Sequence, residues 1–310
     1  MALWPEEYEG LRDEARGMAS FILENFGQGV RGELPTDQAG RVRVMRAALA
    51  ALETESPAGR DEEIAGVPCR VFHPSGVSRG TYLHFHGGAM ILGSPRLNDQ
   101  GNAECCERVG VTVISVDYRL APEHPFPAGS DDCLAVARAV LERNDGPVIV
   151  GGESAGGYYA ALTLLRVRDE LGWIDRVAGA NLVFGVYDLT GTPSARGVRP
   201  TDVPDLLDGT LSGFINDCYI PGRSGEGACD PAVSPLYADL TGLPPALFTV
   251  GSADHLLDDS LFMAARWEAY GNDADLGVYP DCIHGFNGFP MALAKLANER
   301  IVAFMERCLG

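Results

Sequence analysis

Short apolar runs alternate with amphipathic stretches through the chain from about residue 61 onward. Seven runs are rich in β-branched and aromatic residues, as is typical of strands: CRVFHP, TYLHFHG, VTVISVDYR, PVIVGG, GANLVFG, PALFTVGS and ADLGVYP. Apolar residues recurring every three or four positions predict helices over about 97–109, 131–143, 155–170, 258–271 and 289–308. Strands that alternate with helices predict an α/β fold, with a mostly parallel sheet flanked by helices.

Two segments depart from this alternation. Within residues 1–55, apolar residues recur at helical spacing from Leu11 to Ile22 and from Val42 to Leu52, which predicts two helices separated by a loop over 27–37. Residues 190–235 are rich in Gly, Pro and Asp, which predicts an insertion rather than a second domain. We therefore divide the chain into N-terminal helices over 1–55 and an α/β domain over 56–310 that contains the insertion.

A glycine-rich segment, VIVGGESAGGYYAA, lies where the fourth of these predicted strands is followed by a helix. Its glycines do not have the spacing of a dinucleotide-binding loop, and no Gly-Lys-Ser/Thr follows that would form a phosphate loop. The five residues from Gly152 to Gly156 instead match G-x-S-x-G, in which a strained strand-to-helix turn exposes a nucleophilic serine. The segment thus predicts Ser154 as a nucleophile.

The same pentapeptide pattern occurs a second time, from Gly76 to Gly80 around Ser78. That copy precedes a predicted strand instead of following one, so it lacks the strand-turn-helix context that a nucleophile requires. By itself the pattern around Ser154 also describes an ordinary tight turn. The choice between these interpretations therefore depends on the partners that Ser154 has.

A serine hydroxyl needs a histidine that accepts its proton and a carboxylate that orients the histidine. In this class of fold the three residues follow the chain order Ser, Asp or Glu, His. Only His255 and His284 follow Ser154, and His284 lies in a loop after the last predicted strand. We predict His284 as the base and Asp254, which ends the preceding strand, as the orienting acid.

Other assignments remain open. His255 is the alternative base, although it adjoins Asp254 and both residues can hardly face the serine. The alternative carboxylates are Asp258, Asp259 and Asp281.

Backbone amides that could stabilise an oxyanion are predicted on both sides of the site. Upstream, a strand ends in His86-Gly87-Gly88-Ala89, where glycines allow the backbone to turn its amides toward the site. The amide of Ala155, directly after the nucleophile, is the further candidate. Which of the amides of Gly87, Gly88 and Ala89 take part is left open.

Charge and composition exclude several other functions. The formal net charge of −19 argues against binding to nucleic acid or to anionic membrane surfaces. We expect no signal peptide and no membrane span, because no stretch has the required apolar character. The eight cysteines show no metal-binding spacing, so we expect free thiols in a reducing cytoplasm and neither metal nor cofactor.

Five motifs, HGGAM, DYRLAPEHPFPA, GESAGG, DHLLDD and HGF, occur in an order and spacing that resemble the bacterial hormone-sensitive-lipase-like esterases. The resemblance runs from about residue 65 to the end of the chain and implies the α/β-hydrolase fold. It also implies Ser154, Asp254 and His284 as the catalytic residues, and a cap formed by the N-terminal helices and the 190–235 insertion. The chain departs from the family pattern at Ala89 and Met90, where the family usually has glycine and an aromatic residue, at Glu153, and at His255 in place of a frequent proline.

Together these features predict a serine carboxylesterase that acts on short- to medium-chain acyl esters through an acyl-enzyme. An amidase, a deacetylase or an acyltransferase would use the same three residues, and a non-catalytic small-molecule receptor on the same fold is the alternative from another class. The sequence leaves open whether the chain forms a homodimer.

Overall fold

The computed structural model describes residues 3–31, 35–143, 146–199, 201–204 and 209–310. Its centre is a sheet of eight strands in the order β1-β2-β4-β3-β5-β6-β7-β8. The strands are β1 (Arg60–Ile64), β2 (Val67–Phe72), β3 (Thr81–Phe85), β4 (Thr112–Val116), β5 (Val148–Glu153), β6 (Val177–Val183), β7 (Ala246–Gly251) and β8 (Ala274–Tyr279). From β4 to β8 all neighbouring strands are parallel, so the predicted α/β class with a mostly parallel sheet is confirmed.

The sequence did not predict β1, which pairs antiparallel with β2 at one edge of the sheet. Its residues, RDEEI, are exposed except for the last, so they lack the alternation of a half-buried strand. The two residues between β1 and β2, Ala65 and Gly66, both have positive φ angles, of 54° and 79°. Such a two-residue turn matches the twist of a hairpin, and it determines the pairing of these strands.

Eight α-helices accompany the sheet in the described residues. They are α1 (Arg12–Arg31), α2 (Gln38–Ala50), α3 (Asp99–Val109), α4 (Ala128–Arg143), α5 (Ala155–Arg166), α6 (Gly209–Tyr219), α7 (Leu257–Ala269) and α8 (Ala292–Leu309). The predicted loop over 27–37 is wrong at its start, because α1 continues to Arg31 despite the glycines there. The helix propensity of individual residues is a weak constraint, and the surrounding structure can override it. Residues 32–34 of that predicted loop lie outside the described residues.

Successive strand residues alternate between two buried layers. On one face Leu83 and Phe85 of β3 belong to the cluster that includes residues of α4, α5 and α7. On the other face Tyr82 packs with residues of α3 and α8. Because both faces are covered, the ends of the strands and the loops beyond them are the surfaces left for a site.

The two segments that interrupt the alternation pack against each other and against the loops at the carboxyl ends of the strands. Ala19 and Ile22 of α1 form a buried cluster with Val203 of the insertion and with Ala253 and Ile283. The last two residues adjoin Asp254 and His284 along the chain. The N-terminal helix and the insertion therefore meet directly beside the predicted site.

Candidate active site

Ser154 occupies the turn between β5 and α5, and its backbone is strained. Its φ and ψ angles are 57° and −117°, a combination that residues other than glycine rarely adopt. The Ser154 amide donates a hydrogen bond of 2.9 Å to the carbonyl oxygen of Val183 at the end of β6, which fixes the turn against the sheet. Strain of this kind is typical of residues that a fold holds in place for function.

Glycines on each side of Ser154 make the turn possible by letting β3 approach. A Cβ atom on Gly152 or on Gly156 would overlap the carbonyl oxygen of Phe85 in β3. Neither glycine has a positive φ angle, so it is contact rather than conformation that requires glycine here. The two glycines of the pentapeptide thus bring the serine turn up against the neighbouring strand.

Three side chains from the ends of three strands form a hydrogen-bonded chain. The Ser154 Oγ atom lies 3.0 Å from Nε2 of His284, and Nδ1 of the same ring lies 2.9 Å and 3.1 Å from the two carboxylate oxygens of Asp254. Asp254 is fully buried, and its Oδ1 also accepts a hydrogen bond of 2.8 Å from the amide of Leu256. This arrangement can remove a proton from the serine while the carboxylate holds the ring in one tautomer.

The alternative carboxylates have partners elsewhere. Asp258 accepts a hydrogen bond from the amide of Ser194, and Asp281 accepts from two arginine side chains of α1. Asp259 is fully buried and accepts from the amides of Tyr187 and Asp188. Burial raises the pKa of Asp259 to about 7, against the lowering effect of these hydrogen bonds. Of the four candidates, only Asp254 contacts His284.

His255 lies closer to this chain of residues than its position beside Asp254 suggested. Its Nδ1 is 3.4 Å from Oδ1 of Asp254, and its ring centroid is 4.8 Å from that of His284. It is the ring of His284, however, that reaches Ser154.

Within the described residues, Asp254, His255 and His284 are also the one set of three His, Cys, Asp or Glu side chains close enough to hold a metal ion. A metal ion there would replace the hydrogen bond between Asp254 and His284.

The loop after β3 runs along the serine turn. A Cβ atom on Gly87 would lie 3.6 Å from the Cβ of Ser154. Gly88, Ala89 and Met90 then have positive φ angles of 124°, 55° and 60°. Among the described residues, we find no acceptor for the backbone amides of Gly88, Ala89 or Ala155. Amides without an internal partner are available to a developing oxyanion.

His86 holds the start of this loop in place. Its ring stacks on Tyr118 with a centroid distance of 4.2 Å, and its Nδ1 lies 2.6 Å from the carbonyl oxygen of Gly87. The hydroxyl of Tyr118 donates a 2.6 Å hydrogen bond to the His86 carbonyl oxygen. Burial lowers the pKa of His86 to about 3, so this ring is neutral and serves as a structural hydrogen-bonding group.

Glu153, one of the departures from the family pattern, is held by a polar network that the sequence did not reveal. One of its carboxylate oxygens lies 2.8 Å from Nε2 of the buried His84 and accepts a 3.2 Å hydrogen bond from Asn98. The other ring nitrogen of His84 lies 2.8 Å from the hydroxyl of Ser115. The residue before the nucleophile is therefore tied to β3 and β4 by side chains as well as by the backbone ladder.

The chain is similar to known α/β hydrolases and esterases. Residues 82–288 match the model of a family described by its alpha/beta hydrolase fold. The chain is similar to carboxylesterase NlhH of Mycobacterium tuberculosis, with 32% identity over 86% of this chain and 90% of the relative. It is also similar to an acetyl-hydrolase of Streptomyces hygroscopicus, with 30% identity over 74% and 76% of the two chains. Among solved structures, a hormone-sensitive lipase from a metagenome library matches with a TM-score of 0.82 and 28% identity, over 96% of this chain and 98% of that one.

The chain belongs to the α/β-hydrolase family and, within it, is related to the esterases of the hormone-sensitive-lipase group. It is a serine hydrolase of carboxylic esters. Among the described helices, none combines the length and the apolar composition that crossing a bilayer requires.

Proposed function

We propose that this carboxylesterase cleaves short- to medium-chain acyl esters with Ser154 as nucleophile, His284 as general base and Asp254 as the residue that orients the base. The observation that carries the proposal is the continuous hydrogen-bonded chain from Ser154 Oγ through His284 to Asp254, with a contact of 3.0 Å at the serine. No other histidine in the described residues lies within hydrogen-bonding distance of Ser154.

The reaction proceeds in two halves. His284 accepts the proton of Ser154 as Oγ attacks the ester carbonyl carbon, and the carbonyl oxygen takes the negative charge. The protonated ring then gives its proton to the leaving alkoxide, which breaks the ester bond and leaves an acyl-enzyme. A water molecule attacks the acyl group with His284 again as base, and this step releases the acid and restores the serine hydroxyl.

The developing oxyanion is stabilised by the amides of Gly88, Ala89 and Ala155, while Gly87 lets their loop lie against the serine turn. Support comes from the absence of internal acceptors for these amides in the described residues. Ala155 also begins α5, so the partial positive charge of a helix N-terminus lies at the same point.

The N-terminal helices over 1–55 and the insertion over 190–235 form a cap over the acyl site. The buried cluster that joins α1, Val203 and the residues beside Asp254 and His284 supports this assignment. A second contact joins the two parts, since the guanidinium of Arg41 lies over the ring of Phe214 at 4.2 Å from its centroid. A cap that rests on the catalytic loops is suited to a small ester rather than to a lipid interface.

Acyl-chain length tests the proposal. The names of similar proteins include an acetyl-hydrolase and a hemiacetal acetate esterase, which supports a short acyl group. We expect kcat/KM for soluble p-nitrophenyl esters to be highest between about two and eight carbons and to fall for longer chains, since the proposed cap would limit the room for the acyl chain. Parallel assays with the Ser154→Ala variant measure the background. Faster hydrolysis of emulsified long-chain triglycerides than of soluble butyrate esters would contradict the chain-length assignment.

A further inference from the structure

Arg46 of α2 extends from the N-terminal segment into the catalytic domain. Its Nε donates a 2.8 Å hydrogen bond to the carbonyl oxygen of Ile91, and its Nη2 donates a 2.9 Å hydrogen bond to the carbonyl oxygen of Ala121. The two terminal nitrogens also form a bidentate ion pair of 2.8 Å with Glu123. One planar guanidinium thus joins three points on two different loops.

The two carbonyls belong to residues that lie in or contact the strained loop over 87–91, which we call the oxyanion loop. Ile91 follows Met90 directly, and the amide of Ala121 donates a 3.1 Å hydrogen bond to the carbonyl oxygen of Met90. The C-terminal end of the loop from Gly87 to Ile91 is therefore held by the Ala121 amide and by Arg46. Ile91 and Ala121 are themselves fully buried, so the arginine contacts fixed parts of the backbone.

This loop needs such support because two successive residues other than glycine lie in the left-handed region. The φ angles of Ala89 and Met90 are 55° and 60°. For an L-residue this conformation is unfavourable and persists only where the surroundings determine it. Ala89 occupies the position where the related family usually has a third glycine, a residue that adopts positive φ angles with little strain.

We propose that Arg46 is a positioning residue for the oxyanion loop: it holds Ala89 and Met90 in the left-handed conformation, and the loop thereby directs the Gly88 and Ala89 amides at the reacting oxygen. The inference rests on the proposed function of Ser154 and on the proposed role of the Ala89 amide. It assigns to the N-terminal segment a direct part in transition-state stabilisation, beyond covering the site.

The test is the Arg46→Met variant, which keeps most of the side-chain length and removes every donor. We expect kcat to fall about 10- to 100-fold. This decrease is no larger than the one caused by removing one oxyanion donor completely, because the amides are displaced rather than deleted. KM should change less than about threefold, since the ground-state ester does not depend on these donors. Rates are expressed per active site, titrated with a serine-reactive phosphonate, so that misfolded protein does not contribute.

Three further variants separate positioning from loss of charge. Arg43→Met removes an exposed arginine from the same helix, and Glu123→Gln removes the ion pair but leaves both carbonyl contacts. Both should keep kcat within about twofold of the wild type. Arg46→Lys retains the charge but cannot reach the three partners with one planar group, so its kcat should be intermediate.

A trifluoromethyl ketone provides a readout that mere destabilisation would not change. When Ser154 Oγ adds to its carbonyl carbon, the proton passes to His284 and the resulting oxyanion occupies the hole. In the Arg46→Met variant, the inhibition constant of the ketone should rise by the same factor by which kcat/KM falls. The Ala89→Gly change relieves the strain, so the loss caused by Arg46→Met should be about fivefold smaller in that background than in the wild type.

Two outcomes overturn the proposal. One is a per-site kcat for Arg46→Met within twofold of the wild type while Ser154→Ala remains inactive. The other is a loss of the same size in both Ala89 backgrounds together with unchanged affinity for the trifluoromethyl ketone. If instead Ser154→Ala keeps its turnover, it is the proposed function that fails, and the two failures are thereby distinguished.

Discussion

Two G-x-S-x-G pentapeptides in this chain have the same pattern and opposite surroundings. Ser154 lies after β5, at the carboxyl ends of the parallel strands, with φ at 57° and its Oγ 3.0 Å from His284. Ser78 lies before β3, at the amino ends of the parallel strands. Its Oγ donates a 2.7 Å hydrogen bond to the carbonyl oxygen of Gly80 and accepts a 2.9 Å hydrogen bond from the amide of Thr112.

The difference shows what turns the pattern into a reactive site. At Ser78 the hydroxyl is used to join the starts of two neighbouring strands, and the turn has no strain at the serine. At Ser154 the backbone is strained, and the ends of two other strands supply Asp254 and His284 as partners. The pentapeptide alone does not determine whether a serine is placed like Ser154 or like Ser78. Its position before or after a strand decides which loops the serine can contact.

The largest effect compares the two histidines that lie beside Asp254. His284→Ala should lower kcat on the order of 10⁴-fold or more, because the base is lost and only the amides and substrate binding remain. His255→Ala should lower kcat less than about tenfold, since its ring lies beside Asp254 but His284 contacts the serine. Steady-state kinetics with a soluble butyrate ester measure both. If the His255 variant were the crippled one and the His284 variant the mild one, the assigned base would be wrong.

A second prediction compares glycines from the two pentapeptides. Gly156→Ala should lower the free energy of unfolding by about 3 kcal/mol or more, because the new Cβ overlaps the Phe85 carbonyl oxygen and both groups belong to packed backbone. Gly76→Ala meets no atom within 4 Å, so its effect should stay within about 0.5 kcal/mol. Urea denaturation of both variants measures the difference. Equal losses would mean that the close approach of β3 to the serine turn is not what requires glycine.

A smaller effect concerns the loop that carries His284. Asp281 accepts hydrogen bonds of 2.8 Å and 2.7 Å from Arg12 and Arg16 of α1. Burial alone would raise the pKa of Asp281, but the two guanidiniums outweigh it and hold that pKa below its ordinary value. The stabilisation is therefore complete above the unfolded pKa and is lost as the pH falls through the lower folded pKa.

Asp281→Asn should accordingly lower the free energy of unfolding by about 1–3 kcal/mol at neutral pH. The difference from the wild type should shrink as the pH falls below about 4. Asp202→Asn, which changes an exposed partner of Arg16, is the matched control and should have little effect. Thermal unfolding across this pH range measures both. A deficit in the Asp281 variant that persists undiminished in acid would contradict the ion-pair explanation.

The alternation of strands and helices was enough to predict the sheet and the chain order of the strand-end loops. Hydrophobic pattern failed at β1, because RDEEI forms an exposed edge whose pairing depends on the two-residue turn after it. It also failed at the end of α1, where glycines suggested a loop and the helix continues. In both places the local composition favours one state and the neighbouring structure determines another.

Contacts between distant residues that belong to no recognised catalytic motif could not be predicted. Nothing in the letters around Arg46 indicates that its guanidinium meets the carbonyls of Ile91 and Ala121, which are 45 and 75 residues away. The pairing of Glu153 with His84 is likewise visible only once β3 and β5 are neighbours. Motif and chain order predict which residues can react, whereas the residues that hold them depend on the completed fold.

Covalent labelling of the two serines tests the central claim most directly. A p-nitrophenyl phosphonate reacts with a serine that is activated by a neighbouring base, and peptide mass spectrometry locates the modification. We expect one label per chain, on Ser154, with a label rate that Ser78→Ala leaves unchanged and Ser154→Ala abolishes together with ester hydrolysis. A label on Ser78, or turnover that survives in the Ser154→Ala variant, would contradict the assignment of the nucleophile.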